Sequence, residues 1–178
     1  MEFSMSGPVA REEYSIRIFN KLADAGVTLF SYVPDFGNAE IINLAQEDNR
    51  TTVALLSSEQ EGVALSAGAD LVNGRAVLLM QSSGVGNCVN MLSLVKAGRF
   101  PLLMIVTMRG DYGEQNPWQY PMGQAVEPVL EAMGVQCLWV RRVADLDDAL
   151  DAAISGVFTA GQGVALILSQ KLIGAKVF

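Results

Sequence analysis

The sequence contains no histidine, and this absence excludes several common catalytic schemes. Ser-His-Asp triads and Cys-His pairs both need an imidazole base, and most zinc enzymes need histidine ligands. If this chain takes part in acid–base catalysis, the proton must be handled by a carboxylate, a lysine, a tyrosine or a bound cofactor.

Cysteine and positive charge are also scarce. The two cysteines, Cys88 and Cys137, lie in apolar segments without CxxC spacing. We therefore expect free thiols in a cytoplasmic protein, and neither a disulfide nor a zinc site. The formal net charge of −7 argues against nucleic acid or an anionic membrane surface as the partner.

Long hydrophobic runs are absent as well. The apolar run at residues 102–106 has the length of a strand and is far too short to span a membrane. The N-terminal residues lack a basic region followed by a hydrophobic block, so we expect no secretion signal. We interpret residues 1–7 as a leader and residues 8–178 as one soluble domain, since 51% of the 178 residues are hydrophobic.

Strand and helix patterns alternate along the whole chain. The segments 75–81 and 101–108 are apolar on both faces, as central strands of a parallel sheet are. The pattern predicts strands at 27–33, 51–56, 75–81, 101–108, 135–140 and 163–169. It predicts helices at 8–26, 39–46, 59–73, 87–98, 124–133 and 146–158. We therefore expect a three-layer α/β/α domain with a six-stranded, mostly parallel sheet.

Four loops follow the carboxyl ends of predicted strands, where open α/β sheets bind their ligands. They cover residues 34–38, 57–61, 81–87 and 109–121. The last is the longest irregular segment of the chain, and a loop of such length in a compact domain is usually functional. The convergence of these loops at one edge predicts a binding site there.

Glu59 is the most informative residue on that edge. It stands where a strand ends and a helix rich in small residues begins, so we expect it to be semi-buried. The alternative is that Glu59 and Glu61 are both first-turn acids that interact with the helix dipole. Glu61 fits this alternative, whereas Glu59 precedes a helix that can approach another surface closely, in a chain without a histidine base.

Two other charged residues on this edge have two interpretations each. Asp35 either caps the helix that begins near Asn38 or belongs to the site. Arg109 leaves a buried strand, and it either binds an anion or pairs with Asp111 or Glu114. The residues alone leave both questions open.

A glycine-containing turn, Ser83-Gly84-Val85-Gly86-Asn87, follows a predicted strand and opens a helix. Val89 stands where a dinucleotide-binding fingerprint has its third glycine, and the chain has no GxxxxGK[ST] motif. An autonomous nucleotide-binding domain is therefore only an alternative interpretation. The small residues favour a backbone surface against which a flat ring can lie.

Three segments together resemble a known family. Ser58-Glu59-Gln60, followed by Gly62-Val63-Ala64-Leu65-Ser66-Ala67-Gly68-Ala69, is similar to the pyrimidine-binding domain of thiamine diphosphate enzymes. The segments 81–90 and 108–117 are similar to the phosphonopyruvate and sulfopyruvate decarboxylase branch, in particular to sulfopyruvate decarboxylase alpha subunits. The resemblance covers nearly the whole chain, from residue 13 to residue 169.

The resemblance implies a site for the pyrimidine end of thiamine diphosphate. Glu59 would be the catalytic residue, hydrogen-bonded to the pyrimidine nitrogen, so that a chain without histidine still serves an acid–base reaction. The cofactor-binding residues that the resemblance implies are Glu59, Gln81, Ser82, Ser83, Gly84 and Asn87. The residues implied near the substrate end are Asp35, Phe36 and Arg109.

The resemblance also implies a partner subunit. The diphosphate-binding half of the family carries a Gly-Asp-Gly…Asn motif, and Gly110-Asp111-Tyr112 is not that motif. We therefore expect Mg²⁺ and the diphosphate on a separate beta subunit, no metal site on this chain, and an active site at the interface of a homo- or hetero-oligomer. The implied reaction is decarboxylation of a small anionic 2-oxo acid, either sulfopyruvate (giving sulfoacetaldehyde and carbon dioxide) or phosphonopyruvate. The alternatives are another 2-oxo acid, or a non-catalytic interaction or regulatory subunit that has kept the fold.

Overall fold

The computed structural model describes residues 8–175, and the predicted leader lies outside the described residues. Six strands form one sheet in the order β2-β1-β3-β4-β6-β5, and every pair of neighbours is parallel. The strands are β1 (Leu29–Tyr32), β2 (Thr52–Leu55), β3 (Ala76–Gln81), β4 (Leu102–Thr107), β5 (Val135–Val140) and β6 (Gly163–Leu168). The predicted α/β sheet is confirmed, and it is parallel throughout rather than mostly so.

Helices cover both faces of the sheet. They are α1 (Pro8–Asp24), α2 (Ala39–Glu47), α3 (Glu59–Leu71), α4 (Val85–Cys88), α5 (Ser93–Lys96), α6 (Tyr120–Ala132), α7 (Leu146–Phe158) and α8 (Gln170–Ile173). None of the helices within residues 8–175 is long and apolar enough to cross a bilayer.

Each face of the sheet has its own hydrophobic core. On one face, β4 contributes Leu103 and Ile105 to a core shared with α1, α2 and α7. On the other face, Met104 and Val106 belong to a core shared with α3 and α6. Successive side chains of a strand point to opposite faces, so a strand that is covered on both sides is apolar at successive rather than alternate positions. This accounts for the continuous apolar run that the sequence shows in β4.

Three local predictions differ from the structure. The predicted helix 87–98 is divided into α4 and α5 by a turn at 89–92, because the segment is rich in glycine, asparagine and serine, which have low helix propensity. Helix α6 begins at Tyr120 rather than at residue 124, with Pro121 in its first turn, where a missing N–H costs nothing. The single turn α8 was not predicted, and Ser169 caps it by accepting a hydrogen bond of 3.1 Å from the Lys171 N–H.

The chain changes direction in the sheet between β1 and β3. From β1 it passes to β2 on one side, and it then returns to form β3 on the other side of β1. At such a switch point the loops after adjacent strands diverge and leave a crevice at the carboxyl edge. The loops that follow β1 and β3 are two of the four that the sequence analysis assigned to a binding site.

Small residues allow α3 to pack closely on β3. A Cβ at Gly62 would lie 3.1 Å from Leu78 Cδ2 and 3.0 Å from Leu56 Cδ1, so only glycine fits there without a shift of its neighbours. Gly68 lies on the exposed side of the same helix, and a Cβ there would meet no atom of the described residues within 4 Å. Gly62 is therefore needed for the close packing of α3 on β3, whereas Gly68 is not.

We expect Gly68→Ala to stabilise the isolated chain by about 0.5–1 kcal/mol, because alanine loses less backbone entropy than glycine when a helix forms. Urea unfolding followed by circular dichroism measures the change. The matched control is Gly62→Ala, for which we expect destabilisation by about 1–3 kcal/mol through overpacking. A loss of stability in Gly68→Ala would show that this side of α3 is covered in the isolated chain.

Candidate active site

Glu59 is buried in the first turn of α3, with 7% of its surface exposed. Strand β2 ends at Leu55, and the chain turns through Ser57 and Ser58 before the helix begins. Glu59 Oε2 accepts a hydrogen bond of 2.7 Å from Asn87 Nδ2. Among residues 8–175, Asn87 is the one hydrogen-bonding partner of this carboxylate, so Oε1 keeps its capacity to accept a bond.

Gly84 lies directly against the Glu59 carboxyl group. A Cβ at position 84 would lie 2.6 Å from Glu59 Cδ and 2.7 Å from Glu59 Cγ, so any side chain there would displace the glutamate. Gly84 ends a 3-10 turn (Ser82–Gly84) that joins β3 to α4 and thereby brings Asn87 to Glu59. This glycine therefore leaves room for the carboxylate, and the flat surface that the sequence suggested stays a prediction.

The surface above Glu59 is open. Ser83, Gly86 and Asn87 are exposed, whereas Glu59 and the adjacent Cys88 are buried. Burial and, to a smaller extent, the nearby charge of Glu59 together raise the pKa of the Cys88 thiol to about 12. The thiol therefore stays protonated at neutral pH and is a poor nucleophile.

Glu61 differs from Glu59 as the sequence analysis expected. It is exposed, and its Oε2 accepts a hydrogen bond of 2.9 Å from the Ser57 N–H. This is the position and the bonding of a first-turn acid that stabilises a helix start. The two carboxylates are close in sequence but lie in different environments, which makes Glu61 a natural control for Glu59.

A cleft of about 230 Å³ opens at the carboxyl ends of β1, β3 and β4. Its lining includes four residues that the sequence analysis singled out, Asp35, Phe36, Gln81 and Arg109, and three that it missed, Thr107, Ile173 and Gly174. The missed residues carry little sequence signal. Thr107 ends a buried strand, and α8 is too short for a periodic pattern.

Asp35 is held by hydrogen bonds from three parts of the chain. Its Oδ2 accepts bonds from the Asn38 backbone N–H (3.3 Å) and from the Thr107 hydroxyl, and its Oδ1 lies 3.5 Å from Gln81 Nε2. Asn38 itself occupies the N-cap position of α2, so Asp35 does not cap the helix, and its bond to the Asn38 N–H orders the turn that precedes it. The position of Asp35 in the lining of the cleft agrees with the other interpretation.

Arg109 pairs with Glu114, one of the two partners that the sequence suggested. Arg109 Nε and Nη2 lie 2.5 and 2.7 Å from the two oxygens of Glu114. The Glu114 side chain is fully buried and the Arg109 side chain is 13% exposed. Asp111, the other suggested partner, instead accepts bonds from Ser169 Oγ (2.6 Å) and the Gln170 N–H (3.0 Å).

We expect this pairing to make the fold sensitive to acid. The hydrogen bonds from Arg109 outweigh burial and lower the pKa of Glu114 from 4.5 to about 2. A lowered carboxyl pKa stabilises the fold above pH 4.5, and that contribution, on the order of 3 kcal/mol, is lost as the pH falls to about 2. We expect the free energy of unfolding, measured by urea unfolding between pH 2 and 7, to fall more steeply below pH 4.5 for the wild type than for Glu114→Gln. Parallel profiles would contradict this assignment.

The predicted cofactor-binding residues form two groups joined by the turn after β3. Gln81 lines the cleft, whereas Gly84 and Asn87 contact Glu59, which does not line it. Ser83 is exposed and donates a hydrogen bond of 2.9 Å to Gln81 Oε1. The structure thus brings the predicted residues to one edge of the sheet, with Glu59 beside the cleft rather than within it.

Ser82 has a different environment from its neighbours. It is fully buried, and its Oγ accepts a hydrogen bond of 3.0 Å from the Arg109 N–H. Ser82 therefore ties the turn after β3 to the end of β4. Its predicted contact with the cofactor stays a prediction.

Comparison with known proteins identifies relatives, although no family model matches the chain. The chain is 36% identical to the sulfopyruvate decarboxylase subunit alpha of Methanocaldococcus jannaschii over 118 residues, which are 66% of this chain and 70% of that subunit. It is 32% identical to the phosphonopyruvate decarboxylase of Streptomyces viridochromogenes over 136 residues, which are 75% of this chain and 34% of that protein.

Among solved structures, the fold is similar to that of a 2-oxoglutarate:ferredoxin oxidoreductase from Magnetococcus marinus. The TM-score is 0.72, and the match covers 90% of this chain and 29% of that chain. At 15% identity, this likeness shows the fold alone. The identity to the Methanocaldococcus subunit extends over most of both chains. The chain therefore belongs to the family of sulfopyruvate decarboxylase alpha subunits.

Proposed function

We propose that this chain is the alpha subunit of a thiamine diphosphate-dependent decarboxylase that acts on sulfopyruvate or phosphonopyruvate. The observation that carries the proposal is the buried Glu59 carboxylate, which has a hydrogen-bond donor in Asn87 and lies under an open surface. A buried carboxylate costs stability unless its charge is compensated, and one amide compensates it only in part. This incomplete compensation favours a role of Glu59 in binding over a purely structural one.

The residues around Glu59 fit the pyrimidine end of thiamine diphosphate. Glu59 Oε1 can share a proton with a ring nitrogen, and the missing Cβ at Gly84 leaves backbone beside the carboxylate for a flat ring. The exposed Ser83 and Asn87 add a hydroxyl and an amide at the same surface. When bound, thiamine diphosphate supplies the electron sink that decarboxylation of a 2-oxo acid requires.

Each residue of this chain has a distinct role in the proposal. Glu59 holds the shared proton at Oε1, and Asn87 orients the carboxylate through Oε2. Gln81 and Arg109 line the neighbouring cleft with N–H donors, which suit the carboxylate and sulfonate or phosphonate groups of the substrate. Asp35 is held in the same cleft by Thr107 and Asn38, so its carboxylate has a defined position near the substrate end.

We further propose that the diphosphate and Mg²⁺ are bound by a separate beta subunit. Relatives of similar length are named as alpha subunits, whereas the match to the Streptomyces phosphonopyruvate decarboxylase covers only 34% of that protein. Within residues 8–175, no three His, Cys, Asp or Glu side chains are grouped so that they could hold a metal ion. The open surface above Glu59 is where the beta subunit would complete the site.

The test is reconstitution of the complex. The chain, its beta subunit, thiamine diphosphate and Mg²⁺ are mixed, and carbon dioxide release is measured from sulfopyruvate, phosphonopyruvate and pyruvate. We expect release from one of the first two substrates only when both subunits are present. Release by this chain alone would contradict the split site, and a preference for pyruvate would reassign the substrate. Activity that survives Glu59→Ala would favour the non-catalytic subunit instead.

A further inference from the structure

The buried ion pair of Arg109 and Glu114 lies at the cleft. Glu114 belongs to the long loop after β4, and the proposed function above assigns it no role. Arg109 lines the cleft, whereas Glu114 is fully buried behind it and does not line the cleft. The pair is bidentate, with Arg109 Nε and Nη2 each bonded to one carboxylate oxygen. Two parallel bonds of this kind fix the plane of a guanidinium group as well as its distance.

Glu114 is also the centre of a larger hydrogen-bond network. Besides Arg109, its carboxylate accepts bonds from the Asn116 N–H (2.9 Å), the Gly110 N–H (3.3 Å) and Gln170 Nε2 (3.0 Å). Gln170 is 2% exposed, and its Oε1 in turn accepts bonds from the N–H groups of Asp111 and Tyr112. The long loop after β4 is therefore fastened to α8, and α8 contributes Ile173 to the cleft.

We propose that Glu114 is a positioning residue, which holds the Arg109 guanidinium at the wall of the cleft and thereby sets the affinity for the anionic 2-oxo acid. This inference rests on the proposed decarboxylase function. Glu114 does not touch the cleft, so it acts through Arg109.

Two features of the site make the orientation of the Arg109 guanidinium important for binding an anionic substrate. The Arg109–Glu114 pair carries no net charge, and Asp35 adds a negative charge to the same cleft. An anionic substrate is therefore not attracted by excess positive charge on this wall, and binding depends on N–H donors that point in the correct direction. A guanidinium that has lost its carboxylate partner can turn towards Asp35, whose charge already acts on Arg109.

A double-mutant cycle in the reconstituted complex tests the proposal. Glu114→Gln, Arg109→Gln and the double variant are compared with the wild type, with KM and kcat measured for sulfopyruvate and phosphonopyruvate. We expect Glu114→Gln to raise KM about 10-fold or more and to change kcat much less, because a binding contact is lost. We expect Glu114→Gln to add no further rise in KM once Arg109 is replaced. Glu131→Gln, at an exposed position of α6, is the matched control and should change neither parameter.

The outcomes separate this inference from the proposed function. Two results would overturn the positioning role while leaving the decarboxylase function intact. One is an unchanged KM in Glu114→Gln. The other is that Glu114→Gln raises KM by the same factor in the wild type and in Arg109→Gln. A wild-type complex that releases no carbon dioxide from any 2-oxo acid would overturn both. If Glu114→Gln does not fold, Glu114→Asp replaces it in the same cycle, since aspartate keeps the charge but is too short to hold the guanidinium in place. We then expect the same rise in KM and the same dependence on Arg109.

Discussion

Glu59→Gln is expected to lower kcat for 2-oxo acid decarboxylation by about 100- to 10,000-fold in the complex with the beta subunit. Glutamine has nearly the same shape as glutamate, and its side-chain oxygen can still accept the hydrogen bond from Asn87. What it lacks is the ability to share and exchange a proton. The fold should therefore persist while the rate falls. Carbon dioxide release at saturating substrate measures the rate, and thermal unfolding monitors the fold.

Glu61→Gln is the matched control for this experiment. Glu61 lies in the same turn of α3 but is exposed and bonded to the Ser57 N–H, so its replacement should change kcat by less than about 2-fold. If Glu59→Gln and wild type release carbon dioxide equally fast, the assigned role of Glu59 is wrong. If Glu61→Gln shows the larger loss, the acid has been assigned to the wrong residue.

Gly84→Ala is expected to lower kcat/KM by about 100-fold, although alanine adds only one methyl group. The new Cβ would lie 2.6 Å from Glu59 Cδ, so the carboxylate would have to move away from Asn87. A displacement of about 1 Å in a catalytic group can cost about 100-fold in rate. We also expect weaker thiamine diphosphate binding, which calorimetry with the assembled complex measures independently of turnover.

Gly86→Ala provides the comparison at the same turn. A Cβ at position 86 would lie 3.4 Å from Met122 Sδ, a contact that the flexible methionine side chain can relieve. We therefore expect little change in stability and a loss of kcat/KM well below that of Gly84→Ala. Equal losses in both variants would mean that the turn as a whole, rather than the space beside Glu59, is sensitive to substitution.

Much of the architecture could be predicted because its signals are local. The strand at 135–140 and the helix at 146–158 were predicted at the bounds that the structure shows, since both are bordered by clear changes of periodicity. The location of Glu59 at a strand–helix junction on the ligand edge followed from the same reasoning. The family resemblance then supplied the chemistry that periodicity does not contain.

Other features of the site could not be predicted because they depend on contacts between residues distant in sequence. Thr107 meets Asp35 only because β4 and β1 lie on either side of β3, and Gln170 meets Glu114 because β6 lies beside β4. For Arg109, the sequence named Glu114 as one of two partners but could not choose between them. The choice was decided by Ser169 and Gln170, which bind Asp111 instead.

By itself, the sequence determined the class of the fold, the order of its elements and the family, and it singled out Glu59 as an acid at the ligand edge of the sheet. These properties depend on hydrophobic periodicity, turn residues and motifs, all of which are written in adjacent residues. The tertiary structure decided that Gly84 faces the Glu59 carboxylate, that the cleft lies beside Glu59, and that Arg109 is held by a buried partner. The physical reason is that these relations arise from the order of strands in the sheet, which brings together side chains whose separation in the chain carries no signal.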